Sequence, residues 1–422
     1  MAFPSSTTFA LLGAALIAIS YGLARFAFGL FVPPIRADLA LSPFIVGVIG
    51  ALPLLSFVLA SLMAPLSAVR LGSRNTAMAS GVFGALGLGL ISQARGPVSL
   101  GLGVVACGIC TGLMMPALTA AMQALVKRSL HGRVSSVMNA GTSVGVAVAV
   151  PAVVLMADAW RLAYGVFAAL AVAGLVATWY FIPAVSRVTP ANAAQPDITA
   201  QQWWKLLRLS VFAFAMGFVS AAYWIFAPDL AITLGALPSG ATGFLWLGVG
   251  IAGLGGAVVA DLADRNNPPI TQALLLMMLA SSLALLAASP GQIVIAVFSA
   301  LVFGGAYMSL TGLYLMTGIR LLPGRLSLGP VLPFVAVSLG QAAGSPVVGL
   351  LVDKFGYADG FSVFAAIGIV VALLSPLYPR FLEQPEDDET EEETGLQAAY
   401  DYQLQDEAGE PIQPSPIDTK RQ

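Results

Sequence analysis

Of the 422 residues, 58% are hydrophobic and only 9% are charged, against about 25% charged in a soluble globular chain, which excludes an ordinary water-soluble domain. Residues 1–380 hold 17 of the 19 Lys and Arg but 8 of the 21 Asp and Glu, so a body of +9 precedes a tail of −11 (2 basic against 13 acidic). The basic residues of the body stand singly between apolar runs, which marks flanks of membrane spans and excludes a nucleic-acid-binding patch.

The stretch Met1–Ala10 carries no Lys or Arg, and the apolar run after it continues to Val32. That is longer than a signal-peptide core, so a cleaved signal peptide is not expected. A helix needs roughly 20 apolar residues to cross the hydrocarbon layer. Runs bounded by charges or by Pro and Gly give twelve such spans: 9–33, 44–67, 76–94, 97–124, 134–157, 162–183, 207–234, 241–261, 270–289, 291–318, 327–351 and 360–380. Run length and the lack of alternation predict helices rather than strands. The fold class expected is an all-α membrane protein of twelve transmembrane helices.

With the N-terminus inside, 12 Lys and Arg flank the cytoplasmic side and 4 (Arg36, Arg95, Arg161 and Lys354) the outer side. The bias predicts both termini in the cytoplasm of a cell (inner) membrane. The longest inner connection, 185–205, separates a six-helix half at 1–184 from a second at 206–382. Trp203 and Trp204 close it, where an interfacial aromatic belt sits. Residues 383–422 begin with a block of Glu and Asp and read as a disordered, solvated cytoplasmic tail.

The halves repeat each other. Gly145, Pro151 and Asp158 recur as Gly340, Pro346 and Asp353, and Pro33 recurs as Pro228, at offsets of 195. Parallel six-span repeats place a substrate site between the halves near the bilayer midplane. The loop Ala260-Asp261-Leu262-Ala263-Asp264-Arg265 is similar to the Gly-x-Leu-Ala-Asp-Arg loop of the major facilitator superfamily, with Ala260 for Gly. Arg70, Gly72 and Arg74 match the stronger copy after the second span, with Val69 where Asp is expected. On these loops and twelve spans the chain resembles that superfamily over residues 9–381, and its first span, with Tyr21, Arg25-Phe26 and Pro33-Pro34, looks like a bacterial branch of it. The resemblance implies two pseudo-symmetric halves that alternate access, with Arg70, Gly72, Arg74, Asp264 and Arg265 as gating or structural loop residues. Val104 and Val105 stand where the fourth span of drug/proton antiporters carries Arg, so their coupling scheme does not transfer.

Arg25 is the only charge between Met1 and Arg36. A guanidinium at that depth is costly unless it faces a cavity or a partner. Tyr21, Arg25, Phe28 and Val32 share one face of an ideal helix. A forked, desolvated donor suits a carboxylate or phosphate, whereas snorkelling or carbonyl capping is the structural alternative. No Asp or Glu lies in the middle of a span; Asp229, after Pro228, is expected near Arg36. Other candidates for a substrate-binding face are Tyr307, Thr311 and Tyr314 in the tenth span and Ser220, Tyr223 and Trp224 in the seventh, where Ser220 matches Arg25 by the repeat. Asn139, Thr142 and Ser143 in the fifth span, Ser338, Gln341 and Ser345 in the eleventh and Thr111 in the fourth complete the set. Each alone serves equally as helix–helix glue. Gly141-x-x-x-Gly145 and Gly340-x-x-x-Gly344 read as close-packing faces, and Cys107-x-x-Cys110 as small-residue packing with no disulfide.

No nucleotide loop, Ser/His/Asp set or metal cluster is visible, so neither an enzyme nor a cofactor is expected; His131 lies in an inner loop. One buried cation without a buried anion suggests a secondary transporter for a small organic anion, coupled to protons or working by exchange. Efflux of drug-like compounds is the alternative within transport, and a membrane sensor using the same fold the alternative outside it. The expected partners are a small-molecule substrate, protons as a candidate co-substrate and the lipid bilayer, with no nucleic acid, and the chain is expected to act as a monomer.

Overall fold

The chain folds as helices because a backbone in hydrocarbon has to satisfy its own polar groups. The computed structural model describes residues 5–183, 198–254, 267–322 and 328–379. In chain order the helices are α1 (Ser6–Leu39), α2 (Pro43–Leu71), α3 (Ser73–Ser92), α4 (Pro97–Leu125), α5 (His131–Met156) and α6 (Trp160–Phe181). The second set is α7 (Ala200–Thr233), α8 (Thr242–Leu254), α9 (Pro268–Ala288), α10 (Ile293–Leu321), α11 (Leu328–Phe355) and α12 (Tyr357–Leu373). Ten of these are long and apolar enough to cross a membrane by themselves; the described parts of α8 and α12 are shorter apolar helices. Among the described residues no strand occurs.

Local chemistry sets the ends. Ser42 accepts the Ile45 N–H ahead of Pro43, which starts α2. The turn from α2 to α3 needs Gly72, whose φ of 83° lies where side chains are strained. One boundary differs from the sequence expectation. Thr199 and Gln202 form a capping box, so α7 begins at Ala200 and takes in Trp203 and Trp204, which were expected to close the connection; both stay exposed on the helix surface. The polar cap outweighs the run length that placed the start at 207. Residues 184–197 and the acidic tail from Arg380 lie outside the described residues, as do Asp261, Asp264, Arg265 and Arg325.

Lipid gives apolar helices little reason to associate, so close packing has to do it. A Cβ on Gly141 or Gly145 would sit 2.1 or 2.2 Å from the Ala14 or Ala18 carbonyl, so α1 and α5 touch backbone to backbone. The second half repeats this: a Cβ on Gly217 or Gly340 would meet the Val337 or Phe214 carbonyl of the facing helix at 2.1 or 2.0 Å. Gly22 and Gly145 thus correspond to Gly217 and Gly340, at the offset seen in the sequence. Cys107 and Cys110 are buried free thiols against Gly87 and Gly84 of α3.

Between the halves, α2 packs on α11, α5 on α8 and α1 on α7. These contacts are tightest at the outer end of the predicted topology. There a Cβ on Gly47 would fall 2.2 Å from the Ser345 carbonyl, and one on Gly349 would fall 2.5 Å from that of Pro43. The same end carries an ion pair across the halves: Arg36 Nη1 of α1 donates to Asp229 of α7 at 3.0 and 3.3 Å, with Asp229 almost wholly buried. Tyr357 at the start of α12 donates to the same carboxylate and accepts from Arg36 at 3.0 Å. Arg36 and Asp229, expected near each other from sequence, form this outer lock together with Tyr357.

Candidate functional site

Midway along α1 the helix leaves α geometry. Ala18–Phe26 is a nine-residue π segment, closed by the Ala27 N–H bonding to the Gly22 carbonyl. Such segments are rare and carry more residues per turn. Two carbonyls there take partners from other helices: Thr111 of α4 donates to Ser20 at 3.0 Å, and the Trp246 indole of α8 donates to Phe26 at 3.2 Å. The wider turn also breaks the predicted face. Arg25 and Phe28 point with Phe26 and Gly29 into one cavity, Tyr21 packs half-buried against the cluster of Phe9, Met114 and Met138, and Val32 is core.

The cavity lies between the halves. Its volume is about 50 Å³, room for a few water molecules, and it is only partly enclosed. Arg25, Phe26, Phe28 and Gly29 of α1 form one wall, Gly50, Pro53 and Leu54 of α2 a second, Ala221, Trp224 and Ile225 of α7 a third, and Gln341 and Ser345 of α11 the fourth. On the side away from the Arg36–Asp229 pair, Phe57 of α2 meets Phe334 of α11 edge to face at 5.7 Å, an aromatic contact across the halves.

Arg25 is the centre of this arrangement. It has no hydrogen bond or ion pair among the described residues. Its guanidinium carbon lies 4.5 Å from the centroid of the Phe57 ring, over its face, and 5.5 Å from that of Phe26, and no described residue takes a bond from its N–H groups. The phenols of Tyr21 and Tyr307 lie within electrostatic reach. No described carboxylate lines the cavity.

Gln341 holds a small polar cluster. Its amide nitrogen donates to Tyr307 at 3.0 Å and to Ser220 at 3.3 Å. Ser345 donates to the Gln341 carbonyl. Trp224 is fixed by edge-to-face contacts with Tyr307 at 5.2 Å, Phe303 at 5.5 Å and Trp246 at 5.9 Å. Its indole N–H is buried; it lies near the Tyr307 phenol but meets no acceptor in hydrogen-bond geometry.

The structure therefore brings together Arg25, Trp224 and Gln341 around the cavity, with Ser220 and Tyr307 just behind. The remaining candidates stand elsewhere. Tyr223, next to Trp224 but about 100° round the helix, stacks on Phe303 at 4.0 Å and bonds Ser299 inside the second half. Thr111 is buried against Ser20 and Cys107, and Thr311 bonds back to the Tyr307 carbonyl. Asn139 is exposed on α5 and bonds Ser135. At the loops, Arg70 is exposed, whereas Arg74 donates to the Trp179 carbonyl at 2.9 Å and lies over its ring, tying α3 to α6. Phe26, Phe57, Pro53 and Ile225 escaped sequence reasoning, because apolar residues at a site look like any other apolar residue in a span. Gly47, Gly50 and Pro53, close together in α2, were the signal available.

The sequence profile described as Major Facilitator Superfamily matches residues 14–327, most of the chain. The chain belongs to the Major Facilitator Superfamily. No curated protein sequence matches it. Solved structures share the fold. A point mutant of the nucleoside transporter NupG is 15% identical, with a TM-score of 0.74 over 88% of this chain and 100% of that one. A bacterial homologue of the human lysosomal transporter Spinster, inward-facing and occupied, is 13% identical, with a TM-score of 0.74 over 90% and 98%. The D-xylose-proton symporter is 15% identical, with a TM-score of 0.70 over 89% and 97%. At these identities the likeness is one of fold. The superfamily's architecture accounts for the two six-helix halves and the cavity between them: the protein is a multi-pass membrane transporter of the secondary type.

Proposed function

We propose that this superfamily member carries a small organic anion by alternating access, with residues 9–184 rocking against 206–381. The observation that carries this reading is Arg25: a guanidinium without counter-ion, in the wall of a cavity between the halves, with its donor edges free. A carboxylate satisfies those edges in a forked pair. An amine or other cation would meet repulsion and no described acid to offset it. The aromatic walls also suit lipophilic solutes, so efflux of drug-like anions is the second reading; net direction separates the two.

A thermal-shift screen of the purified protein against monocarboxylates, amino acids, nucleosides and amines tests the anion. A ligand at a hundred times its Kd adds about 2.7 kcal/mol of stability. Monocarboxylates are expected to raise the melting temperature of wild type but not of Arg25→Gln. A response to nucleosides or amines alone contradicts the reading. Coupling is either to protons or by exchange. Uptake into vesicles that stops when an uncoupler collapses the proton gradient assigns it to protons. The carboxylate to test first is then Asp229, the one buried carboxylate among the described residues.

A further inference from the structure

The anion reading leaves the rest of the substrate undefined. Resting on that reading, we propose that the substrate is a monocarboxylate with an apolar body, held at its head by donors from both halves: Arg25 of α1 and the Trp224 indole of α7.

Free donors and acceptors around the cavity are unequal. The two tryptophans near Phe26 differ in this: Trp246 uses its N–H on the Phe26 carbonyl, whereas that of Trp224 is buried and unbonded. Gln341 commits its amide nitrogen to Ser220 and Tyr307, and Ser345 commits its hydroxyl to Gln341. Three donors remain without an acceptor: the Arg25 edges, the Trp224 N–H and, beside that N–H, the Tyr307 hydroxyl, which only accepts from Gln341. Of these the Trp224 N–H is fully buried, whereas the Arg25 guanidinium is only half-buried, so a ligand that brings acceptors satisfies the one and replaces water at the other. A carboxylate brings them with the matching charge.

The count of charges limits the head to one. Among the described residues of the cavity wall, Arg25 is the only cation. The next cation along α1, Arg36, is engaged by Asp229 and Tyr357. A dicarboxylate or a phosphate dianion would bury a second charge unpaired, and an amino acid would bury its ammonium with no described acid in the wall.

The remaining wall defines the body. Phe26, Phe28, Pro53, Leu54 and Ile225 offer no side-chain acceptor or donor, so the hydroxyls of a sugar or nucleoside would be stripped of water there. An apolar body gains from the same walls, where Phe26 and Trp224 pack on each other with centroids 5.1 Å apart and form one continuous apolar surface.

The head is gripped across the interface. Gly29 and the Trp224 carbonyl stand where a Cβ would clash at 2.2 Å, so α1 and α7 are in backbone contact beside the cavity. A ligand bonded to both helices stabilises the arrangement in which they touch. Binding of the head thus favours closure, the step a carrier needs before it reopens on the other side.

Binding to the full-length protein in nanodiscs tests this, with benzoate, acetate, succinate and the neutral isostere benzamide as probes. Benzoate is expected to bind at least tenfold more tightly than acetate or succinate, and benzamide not measurably. Trp224→Phe keeps the ring and loses the N–H; it is expected to weaken benzoate about tenfold, or 1.4 kcal/mol. Arg25→Gln is expected to weaken benzoate roughly 10–100-fold. The unliganded melting temperature of each variant, together with Arg25→Lys, verifies that the fold persists. Acetate binding as tightly as benzoate, still dependent on Arg25, overturns the apolar body and leaves the anion reading intact. Succinate binding more tightly overturns the single charge. Unchanged benzoate affinity in Trp224→Phe overturns the two-sided grip. Benzamide equal to benzoate, or no carboxylate bound at all, overturns the anion reading as well.

Discussion

Arg25 and Trp224 do different work from the residues beside them, and sequence distinguished them unequally. Arg25 was legible because a charge in a long apolar run needs a reason. Trp224 was legible only as one of three neighbours, Ser220, Tyr223 and Trp224, because which side of a buried helix faces a cavity is decided by packing. Phe303 stacks on Tyr223 and turns it into the second half. Tyr223→Phe is therefore expected to lose its bond to Ser299, to lower stability by about 1 kcal/mol in a melting experiment, and to leave ligand affinity unchanged. A large loss of affinity with unchanged stability would place Tyr223 in the site after all. Phe57, beneath the guanidinium, was not legible, because nothing distinguishes it from other apolar residues of α2.

At the scale of elements, the twelve spans and the repeat were legible because lipid imposes run length and close packing imposes glycine. The π segment was not. A nine-residue shift from α to π geometry depends on Thr111 and Trp246 capping the freed carbonyls from other helices, and no local pattern encodes that. Gly340→Val, whose first added carbon would lie 2.0 Å from the Phe214 carbonyl, is expected to separate α7 from α11 and abolish folded protein, by size-exclusion profile and melting. Gly89→Ala in α3, with nothing within 4 Å, is expected to be neutral or to stabilise by roughly 0.5–1 kcal/mol through helix propensity. The outer lock is tested differently. Removing one partner of a buried ion pair costs roughly 3–5 kcal/mol of the state that contains it. Asp229→Asn is therefore expected to shift the population toward an outward-open form. Spin labels at the exposed positions Asp158 and Asp353, one on each half, are expected to show a longer distance in Asp229→Asn than in wild type. An unchanged distance distribution would show that Arg36, Asp229 and Tyr357 do not hold the outer end shut.

On the scale of the whole molecule, two halves meet around a small, partly enclosed cavity lined by Arg25. Glycine contacts and the Arg36–Asp229 pair join the halves at the end that the sequence assigns to the outside. Phe57 and Phe334 meet across the halves on the side away from that pair. Fold and family were readable from run length, loop charge and the repeat, whereas the substrate was not, since a binding surface is assembled from four helices far apart in sequence. The central claim is that a single unpaired guanidinium in that cavity holds the anion. Uptake of a radiolabelled monocarboxylate into proteoliposomes tests it most directly. Losing a charge-assisted hydrogen bond of about 1.5–3 kcal/mol predicts that Arg25→Gln raises KM roughly 10–100-fold while the unliganded melting temperature does not fall. Uptake by Arg25→Gln and Arg25→Lys at wild-type rate and affinity would contradict the account.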